Sequence, residues 1–276
     1  MRKHALLVGI NDYKTINDLQ GCINDVTNVR NILKTFFGFS NNDIRILVGQ
    51  RATKKNILYR LERMVKKSRK GDLLIFHFSG HGSQIRDRDN DELKDHMDEL
   101  ICPYNMDWDD GYITDDMLRA TLDQLPRGVR MEIILDSCHS GTGTRDMALE
   151  PPVGTGPKVL FKNRFLRPPI DIECRYQGDE DIMQATRSFR NDETITMNHI
   201  LWAGCRDSQT SADANIDGRY NGAFSYYFCK HIRESRGKIS RSELHLKIAN
   251  SLNHNNYSQL PQLECKETFK EQNIFT

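Results

Sequence analysis

The chain has 276 residues, 38% of them hydrophobic, and its 39 Lys and Arg residues nearly balance its 38 Asp and Glu residues. A chain of this length can bury one sizeable core, so we expect one elaborated domain rather than two. The basic residues are scattered rather than gathered beside aromatic residues, which gives no support to nucleic-acid binding.

The sequence shows no targeting signal or membrane span, and this and its cysteine pattern favour a soluble protein. The apolar run at residues 5–10 is too short for the core of a signal peptide and its cleavage site, and no window approaches the length of a membrane span. The seven cysteines are odd in number and lack CxxC spacing, which argues for a reducing compartment. We therefore expect a cytoplasmic protein with no membrane or nucleic-acid partner, and we favour a monomer.

Predicted strands and helices alternate along the chain. Apolar runs predict strands, and apolar residues at helical spacing predict helices. In chain order the predictions are a strand at 4–10, a helix at 21–36, a strand at 44–48, a helix at 52–67, a strand at 72–79, a helix from 115 to about 125, a strand beginning at 131, a strand at 199–205 and a helix from 222. This order predicts an α/β fold with a mostly parallel sheet flanked by helices on both faces.

Two of the predicted strands end in side chains that can do chemistry. Residues 131–141, MEIILDSCHSG, bring Cys138 to the end of one strand, and residues 72–82, DLLIFHFSGHG, bring His81 to the end of another. The carboxyl ends of parallel strands meet at one edge of a sheet, where ligands of open α/β proteins bind. Cysteine attacks as a thiolate, and an adjacent imidazole favours that form and supplies a proton to the leaving group. We therefore predict a nucleophile and its base. The alternative interpretation is structural, because a lone cysteine after a strand is usually a buried core residue.

Three motifs in this order resemble the metacaspases, including their bacterial relatives. They are GCIND at 21–25, SGHG at 79–82 and DSCHSG at 136–141, and the likeness runs from about residue 4 to 141 and weakly on to about 228. The resemblance implies a caspase-like fold and a cysteine endopeptidase that cuts after Arg or Lys. The caspase spacing rule, with the histidine about 50 residues before the cysteine, is also met, but the QAC-type signature is absent.

A pocket for a basic side chain follows from charge and from the resemblance. The resemblance implies that Cys22 and Asp25 belong to this pocket, and Ser79 and Asp136 would line it beside them. Buried carboxylates need a cationic partner, and Arg satisfies paired carboxylates best. An Asp in a first helical turn can equally serve the helix dipole, so Asp25 has a second interpretation.

The proposed reaction is peptide hydrolysis through an acyl-enzyme. Cys138 would attack the carbonyl, His81 would act as acid and base, and the backbone N–H groups of Cys138 and Gly82 would hold the oxyanion. The substrates would be proteins or peptides with Arg or Lys at the cut site. The alternatives are another peptide specificity, acyl transfer, or a catalytically silent caspase-like scaffold that binds partners through its long loops.

The acidic stretch at 83–116 is predicted to be loop-like and is a candidate calcium site. The resemblance to calcium-dependent metacaspases implies Asp98, Asp115 and Asp116 as ligands. A fourth ligand of that pattern has no clean match, because Arg145 falls near its position and Asp146 is one step on. Asp115 and Asp116 also suit a helix start capped by Thr114, a role that needs no ion. Both interpretations stay open.

A Pro- and Gly-rich stretch at 142–197 is typical of a long exposed loop. In caspase relatives this position joins a larger catalytic part, here 1–141, to a smaller part, here 198–276. If calcium orders the acidic stretch, we expect this linker to be the first substrate. Its candidate cleavage positions are Arg145, Lys158, Lys162, Arg164, Arg167, Arg175, Arg187 and Arg190. The loop at 206–213 is predicted to wall the substrate groove, and Cys205 is interpreted as structural.

Overall fold

The computed structural model describes residues 1–86, 97–138, 161–175, 199–206 and 209–276. Twelve strands are described in these ranges. They are β1 (Lys3–Gly9), β2 (Ile44–Val48), β3 (Leu73–Ser79), β4 (Gly82–Arg86), β5 (Met97–Ile101), β6 (Ile113–Thr114), β7 (Arg130–Asp136), β8 (Phe161–Asn163), β9 (Ile200–Ala203), β10 (Ala212–Ile216), β11 (Arg219–Gly222) and β12 (Gln262–Glu264).

The α-helices of the described ranges lie between and after these strands. They are α1 (Cys22–Phe37), α2 (Lys54–Lys67), α3 (Asp115–Leu122), α4 (Ile170–Arg175), α5 (Ala223–Glu234), α6 (Arg241–His254) and α7 (Glu267–Lys270). None of them is long and apolar enough to cross a membrane.

A six-stranded sheet with the order β12-β9-β7-β3-β1-β2 forms the centre of the fold. Every pairing in it is parallel except that of β12 with β9. All seven residues of β3 are buried, as expected for a parallel strand covered on both faces. The predicted α/β fold is confirmed.

Two apolar layers cover the two faces of the central sheet. Helices α2 and α3 contribute Ile57, Leu61 and Leu122 to one core cluster. Helices α1, α5 and α6 build the other, whose helical members are Val26, Val29, Ile32, Leu33, Ala223, Phe224, Tyr227, Phe228, Cys229, Ile232, Leu244, Ile248 and Leu252. Helices therefore flank both faces, and the sheet edge formed by the strand ends stays available for a site.

A buried carboxylate ties the end of the chain to the sheet. Glu132 on β7 is fully buried, accepts a hydrogen bond from Trp202 Nε1 at 2.9 Å and pairs with Arg241 Nη2 at 2.5 Å. Its Oε1 also accepts the backbone N–H of Phe275 at 2.7 Å. Every charge of this group is paired, as burial requires, so the residues after 198 pack onto the same sheet as the residues before 141.

Two regions predicted to be loops contain regular structure. The acidic stretch includes β4, β5 and β6, which form an antiparallel sheet. The loop prediction was wrong there because β5 alternates in burial although it carries two acidic residues: Asp98 and Leu100 are buried, whereas Met97 and Glu99 are half-buried. In the linker, β8 pairs antiparallel with β10, and α4 follows it. The prediction of an exposed loop throughout 142–197 was therefore also wrong.

Candidate active site

The ends of β3 and β7 bring the two predicted reactive side chains to one sheet edge. Ser79 and Asp136 are partners in the parallel register, and His81 and Cys138 follow them by two residues each. A Cβ on Gly82 would lie 2.2 Å from the backbone oxygen of Cys138. Only glycine permits this approach of the two turns, which explains the Gly that follows the histidine.

The imidazole of His81 is buried and held from two sides. Its Nε2 lies 2.8 Å from the backbone oxygen of Asn17, and its backbone N–H donates to the Tyr13 hydroxyl at 2.7 Å. Nδ1 makes no hydrogen bond within the described part of the chain. Burial lowers the pKa of His81 below its ordinary value, opposed by the Asn17 carbonyl. The ring is therefore neutral at pH 7, the form that a general base needs.

The thiol of Cys138 is fully buried and faces β10. Its Sγ accepts the backbone N–H of Ser211 and lies 3.4 Å from the backbone oxygen of that residue and 3.7 Å from Asn163 Oδ1. Neither this sulfur nor the His81 ring hydrogen-bonds the other in the described contacts. The two groups thus share an edge without being joined.

Cys205 lies beside this thiol. Its Sγ is 3.6 Å from the backbone oxygen of Ser137. A hydrogen bond with Cys138, and then burial, raise the pKa of the Cys205 thiol well above its ordinary value. Cys205 is therefore a neutral neighbour of the predicted nucleophile, in keeping with the structural role expected for it.

Arg164 fills the predicted basic pocket. Its side chain is fully buried, with Nη2 2.8 Å from Asp25 Oδ2 and Nη1 3.2 Å from Asp136 Oδ1. Nη1 also donates to the Ser79 hydroxyl and to the backbone oxygen of Asp136, both at 2.9 Å. Three of the four predicted pocket residues therefore contact one guanidinium. The fourth, Cys22, is buried in the first turn of α1, and burial raises its pKa to about 12, so it contributes a neutral wall.

A third carboxylate completes the pocket and was not predicted. Asp213 on β10 is fully buried, and its Oδ1 lies 3.1 Å from Arg164 Nη2. The same carboxylate accepts the backbone N–H groups of Gln20 at 2.7 Å and Gly21 at 2.8 Å. The available signal was an aspartate between Ala212 and Ala214, where a charge in a buried strand needs a partner.

Two backbone N–H groups and one hydroxyl fix two of the carboxylates in place. Asp136 accepts the Ser211 hydroxyl at 2.7 Å and the Ser225 N–H at 2.9 Å, while Asp25 accepts the Gly222 N–H at 3.0 Å. A Cβ on Gly222 would lie 2.1 Å from Asp136 Oδ2 and 2.6 Å from Arg164 Nη1. The strand end at residue 222 is therefore glycine because the pocket occupies the space of a side chain.

Three carboxylates around one guanidinium leave an excess of negative charge. Burial raises the pKa of Asp25 to about 7, opposed by Arg164 and reinforced by Asp136. Asp25 is therefore partly protonated near neutral pH even with its cation in place.

The predicted oxyanion donor also has an occupant. The Gly82 N–H donates to the backbone oxygen of Arg164 at 2.9 Å. The backbone oxygen of Gly82 in turn accepts the Leu166 N–H at 2.8 Å. A peptide carbonyl therefore binds at the position that a substrate carbonyl would take in the predicted reaction. The described contacts include none from the N–H of Cys138, the second predicted donor.

The three predicted calcium ligands lie on neighbouring elements. Leu100 on β5 pairs with Thr114 on β6. Asp98 lies two residues before Leu100, and Asp116 lies two residues after Thr114. Arg119 Nη2 lies 3.3 Å from Asp115 Oδ2, and Arg119 Nη1 lies 3.5 Å from Asp116 Oδ1. No group of three His, Cys, Asp or Glu side chains within the described ranges could hold a metal ion. The N-cap is observed, with Thr114 Oγ1 accepting the Met117 N–H. Arg145 and Asp146 lie outside the described residues.

The fold is similar to that of solved caspase-like structures. The alignment with the crystal structure of a protein from Geobacter sulfurreducens covers 100% of this chain and 99% of the Geobacter chain, with a TM-score of 0.72 at 24% identity. Caspase-1 from Spodoptera frugiperda matches with a TM-score of 0.60 at 13% identity, over 95% of this chain and 86% of its own. At these identities the likeness defines the fold alone, a caspase-like α/β domain.

Sequence comparison adds the family. The model "Metacaspase, peptidase C14 domain" matches residues 3–146. Metacaspase-1 of Schizosaccharomyces pombe is 34% identical over 96% of this chain and 67% of its own length, and Metacaspase-1A of Aspergillus fumigatus is 33% identical over 96% and 68%. The chain belongs to the metacaspase family of cysteine peptidases.

Proposed function

We propose that the protein hydrolyses peptide bonds after Arg or Lys, with Cys138 as the nucleophile and His81 as the general acid and base. One observation carries this proposal: a guanidinium is buried among Asp25, Asp136 and Asp213 beside the predicted nucleophile. Membership of a cysteine-peptidase family supports it.

The chemistry of the pocket favours a cation. Ionised carboxylates removed from water are costly unless they are paired, so an empty pocket gains more from a basic side chain than from an apolar one. A guanidinium donates from two nitrogens to the carboxylates, the Ser79 hydroxyl and the Asp136 carbonyl. A Lys ammonium has three donors at one atom and cannot span these acceptors in the same way. We therefore expect cleavage after Arg to be faster than after Lys.

The reaction proceeds through a thioester. His81 takes the proton of the Cys138 thiol, the sulfur attacks the carbonyl carbon, and the N–H of Gly82 stabilises the oxyanion that forms. As the intermediate collapses, the C–N bond breaks and His81 gives a proton to the departing amine. Water, deprotonated by His81, then attacks the thioester. This releases the new carboxylate and restores the thiol.

Both reactive groups must reorient before this chemistry. The sulfur of Cys138 is engaged by Ser211, and Nε2 of His81 is engaged by Asn17. Rotation of the thiol towards the ring is a side-chain motion that needs no rearrangement of the sheet. The present arrangement therefore corresponds to a resting form of the proposed dyad.

Calcium activation and self-processing extend the proposal. Asp98, Asp115 and Asp116 would take calcium as a hard, oxygen-liganded cation that neutralises their repulsion and supplies no catalytic group. Cleavage within the linker between the larger and smaller parts would be the first turnover.

A fluorogenic Arg-peptide assay tests the dyad. Because the thiolate forms the covalent bond and the imidazole moves every proton, Cys138→Ala and His81→Ala should reduce turnover to background. Cys265→Ala is the matched control: this cysteine is only half-buried, on the chain just after β12, and its loss should leave the rate unchanged. Turnover by Cys138→Ala equal to that of wild type contradicts the mechanism. Absence of turnover in every protein, with calcium or with a chelator, favours the silent scaffold.

A further inference from the structure

A second cysteine follows the strand next to the one that carries the predicted nucleophile. Strands β7 and β9 are parallel neighbours with Leu135 opposite Ala203, and the Gly204 N–H donates to the backbone oxygen of Leu135 at 2.9 Å. Cys138 follows the end of β7 by two residues, and Cys205 follows the end of β9 by two residues. Neighbouring strands lie about 4.8 Å apart, within the span of roughly 4.4–6.8 Å between α-carbons that a disulfide bridges. The two chains therefore leave the sheet close enough for such a bridge.

Hydrogen bonds hold the two sulfur atoms near each other. The thiols of Cys138 and Cys205 share a side-chain hydrogen bond, and both side chains are buried. The Cys205 Sγ also lies 3.6 Å from the backbone oxygen of Ser137, which precedes Cys138. A Cβ on Gly204 would lie 3.3 Å from Ser211 Oγ, so the chain before Cys205 packs on the residue whose N–H binds the Cys138 sulfur. In its resting orientation the nucleophile therefore has a second thiol as a neighbour.

From this pair we propose that Cys205 is a resolving thiol: when a peroxide oxidises Cys138, Cys205 forms a disulfide with it and protects the nucleophile from irreversible oxidation. The inference rests on Cys138 being the reactive thiol of the proposed function, and it adds a modification site and the chemical class of its oxidant. A sulfenic acid can be returned to the thiol, whereas further oxidation to a sulfinic or sulfonic acid is not reversed by thiol reductants. A thiol in contact with the sulfenic acid favours the reversible outcome.

The oxidation has two steps. The Cys138 thiolate, formed when His81 takes its proton, attacks one oxygen of hydrogen peroxide and the O–O bond breaks. One oxygen stays on the sulfur as a sulfenic acid, and the other leaves as water with the proton that His81 holds. The Cys205 sulfur then attacks the sulfenic sulfur, the S–O bond breaks, and the hydroxyl group leaves as water with the Cys205 proton. The two thiols lose two electrons in total, and the peroxide is reduced to two molecules of water.

The environment of Cys205 suits the second step and not the first. The hydrogen bond with Cys138, and then burial, raise the pKa of the Cys205 thiol well above its ordinary value. Peroxides react with thiolates, so Cys205 stays reduced until Cys138 has reacted. Its proton is then available to the departing hydroxyl group. Because the disulfide removes the nucleophile, peptide cleavage stops while the bridge is in place and resumes when a dithiol reduces it.

Peptide mapping by mass spectrometry tests the bridge without reference to turnover. Reduced wild-type protein, treated with hydrogen peroxide, blocked with N-ethylmaleimide and digested, should yield a peptide pair that is joined through Cys138 and Cys205 and that dithiothreitol separates. Cys205→Ser should instead accumulate sulfinic and sulfonic acids at Cys138. Cys265→Ser, which changes a half-buried cysteine outside the pair, should form the bridge as wild type does. Wild type in which Cys138 stays unmodified, carries these acids or joins another cysteine, with no Cys138–Cys205 pair, overturns the proposal.

Recovery of activity tests the protective role. Before oxidation, Cys205→Ser should cleave Arg peptides as fast as wild type, because Cys205 takes no part in the proposed hydrolysis. Thermal unfolding confirms that the variant folds, and Cys205→Ala serves as a second variant. After the same peroxide treatment and then dithiothreitol, wild type should regain about fivefold more activity than Cys205→Ser, because sulfinic and sulfonic acids resist this reductant.

The outcomes separate this inference from the proposed function. Equal recovery in wild type and Cys205→Ser overturns the protective role, even where the bridge forms. If the bridge forms in a wild type that turns over no peptide under any condition, the proposed function fails and the thiol pair survives. If wild type cleaves Arg peptides and never forms the bridge, the thiol pair fails and the peptidase function stands.

Discussion

Two groups of aspartates in this molecule meet different needs. Asp25, Asp136 and Asp213 are fully buried and hold a guanidinium from a distant part of the chain. Asp115 and Asp116, at the start of α3, keep about a third of their side chains exposed and pair with Arg119 within the same helix. Burial obliges the first group to have a cation, whereas solvent and the helix dipole suffice for the second. The carboxylate count of a sequence therefore locates a site less well than the burial of each carboxylate.

Removal of one buried carboxylate should give the largest effect in this comparison. Asp136→Ala or Asp25→Ala deletes a charge-assisted contact worth roughly 1.5–3 kcal/mol, or about ten- to a hundredfold in kcat/KM for Arg peptides. The measurement is kcat/KM on fully processed protein, with thermal unfolding to confirm that each variant folds. Glu62→Ala, which removes an exposed carboxylate on α2, should change neither quantity by much. Unchanged cleavage after Arg in both pocket variants means that the pocket is misassigned.

The second prediction concerns calcium binding by the second group of aspartates. If the second group binds the ion, calcium at 100 times its Kd should stabilise the fold by about 2.7 kcal/mol, seen as a rise in Tm. Asp116→Asn should abolish this rise, because the site loses a charged oxygen ligand. Asp123→Asn, an exposed aspartate at the other end of α3, should keep it. No calcium-dependent change in Tm or activity in wild type leaves these carboxylates as a helix start only.

The third prediction concerns the pH dependence of KM, which should depend on Asp25 of the first group. Burial raises the pKa of Asp25 to about 7, and its partner Arg164 opposes the shift. In the occupied pocket Asp25 is therefore neutral below this pH and charged above it, and without a cation it stays neutral to a higher pH. KM for Arg peptides should therefore fall as pH rises above 7, by up to about tenfold per unit. The effect on stability has the opposite sign: the favourable contribution of protonated Asp25 is full at low pH and lost as pH rises through about 7. A KM profile identical to that of Asp25→Asn contradicts this assignment.

The sequence could predict the parts of the fold that depend on local pattern. β2 matches its predicted bounds, and β1 and β3 lie within one residue of theirs, because a strand buried on both faces is a continuous apolar run. The strands β4 to β6 were missed because acidic residues obscured a short alternating pattern.

The candidate site was predictable only where its residues belong to the three sequence motifs. Asp25, Ser79 and Asp136 carry motif signals, and the structure brings them together. Arg164 lies 139 positions along the chain from its partner Asp25. Asp213 lies 49 positions from its partner Arg164. A long-range ion pair leaves no periodic trace in a sequence, so one of eight linker cations could not be selected from the sequence.

The smallest predicted effect concerns the cap of the exposed group. Thr114 and Thr53 both cap helices, each accepting a backbone N–H at 3.3 Å, but the first turn of α3 carries two acids and that of α2 carries none. Loss of either hydroxyl leaves one N–H of the first turn without its partner, so Thr114→Ala and Thr53→Ala should each lower the free energy of unfolding by about 1 kcal/mol, measured by urea titration. The two variants should differ in one respect. If Asp115 and Asp116 bind calcium, fraying of α3 displaces them, and Thr114→Ala should weaken the calcium-dependent rise in Tm while Thr53→Ala leaves it intact. An equal calcium response in both variants, together with equal losses of stability, indicates that the acids at the start of α3 act on the helix dipole alone.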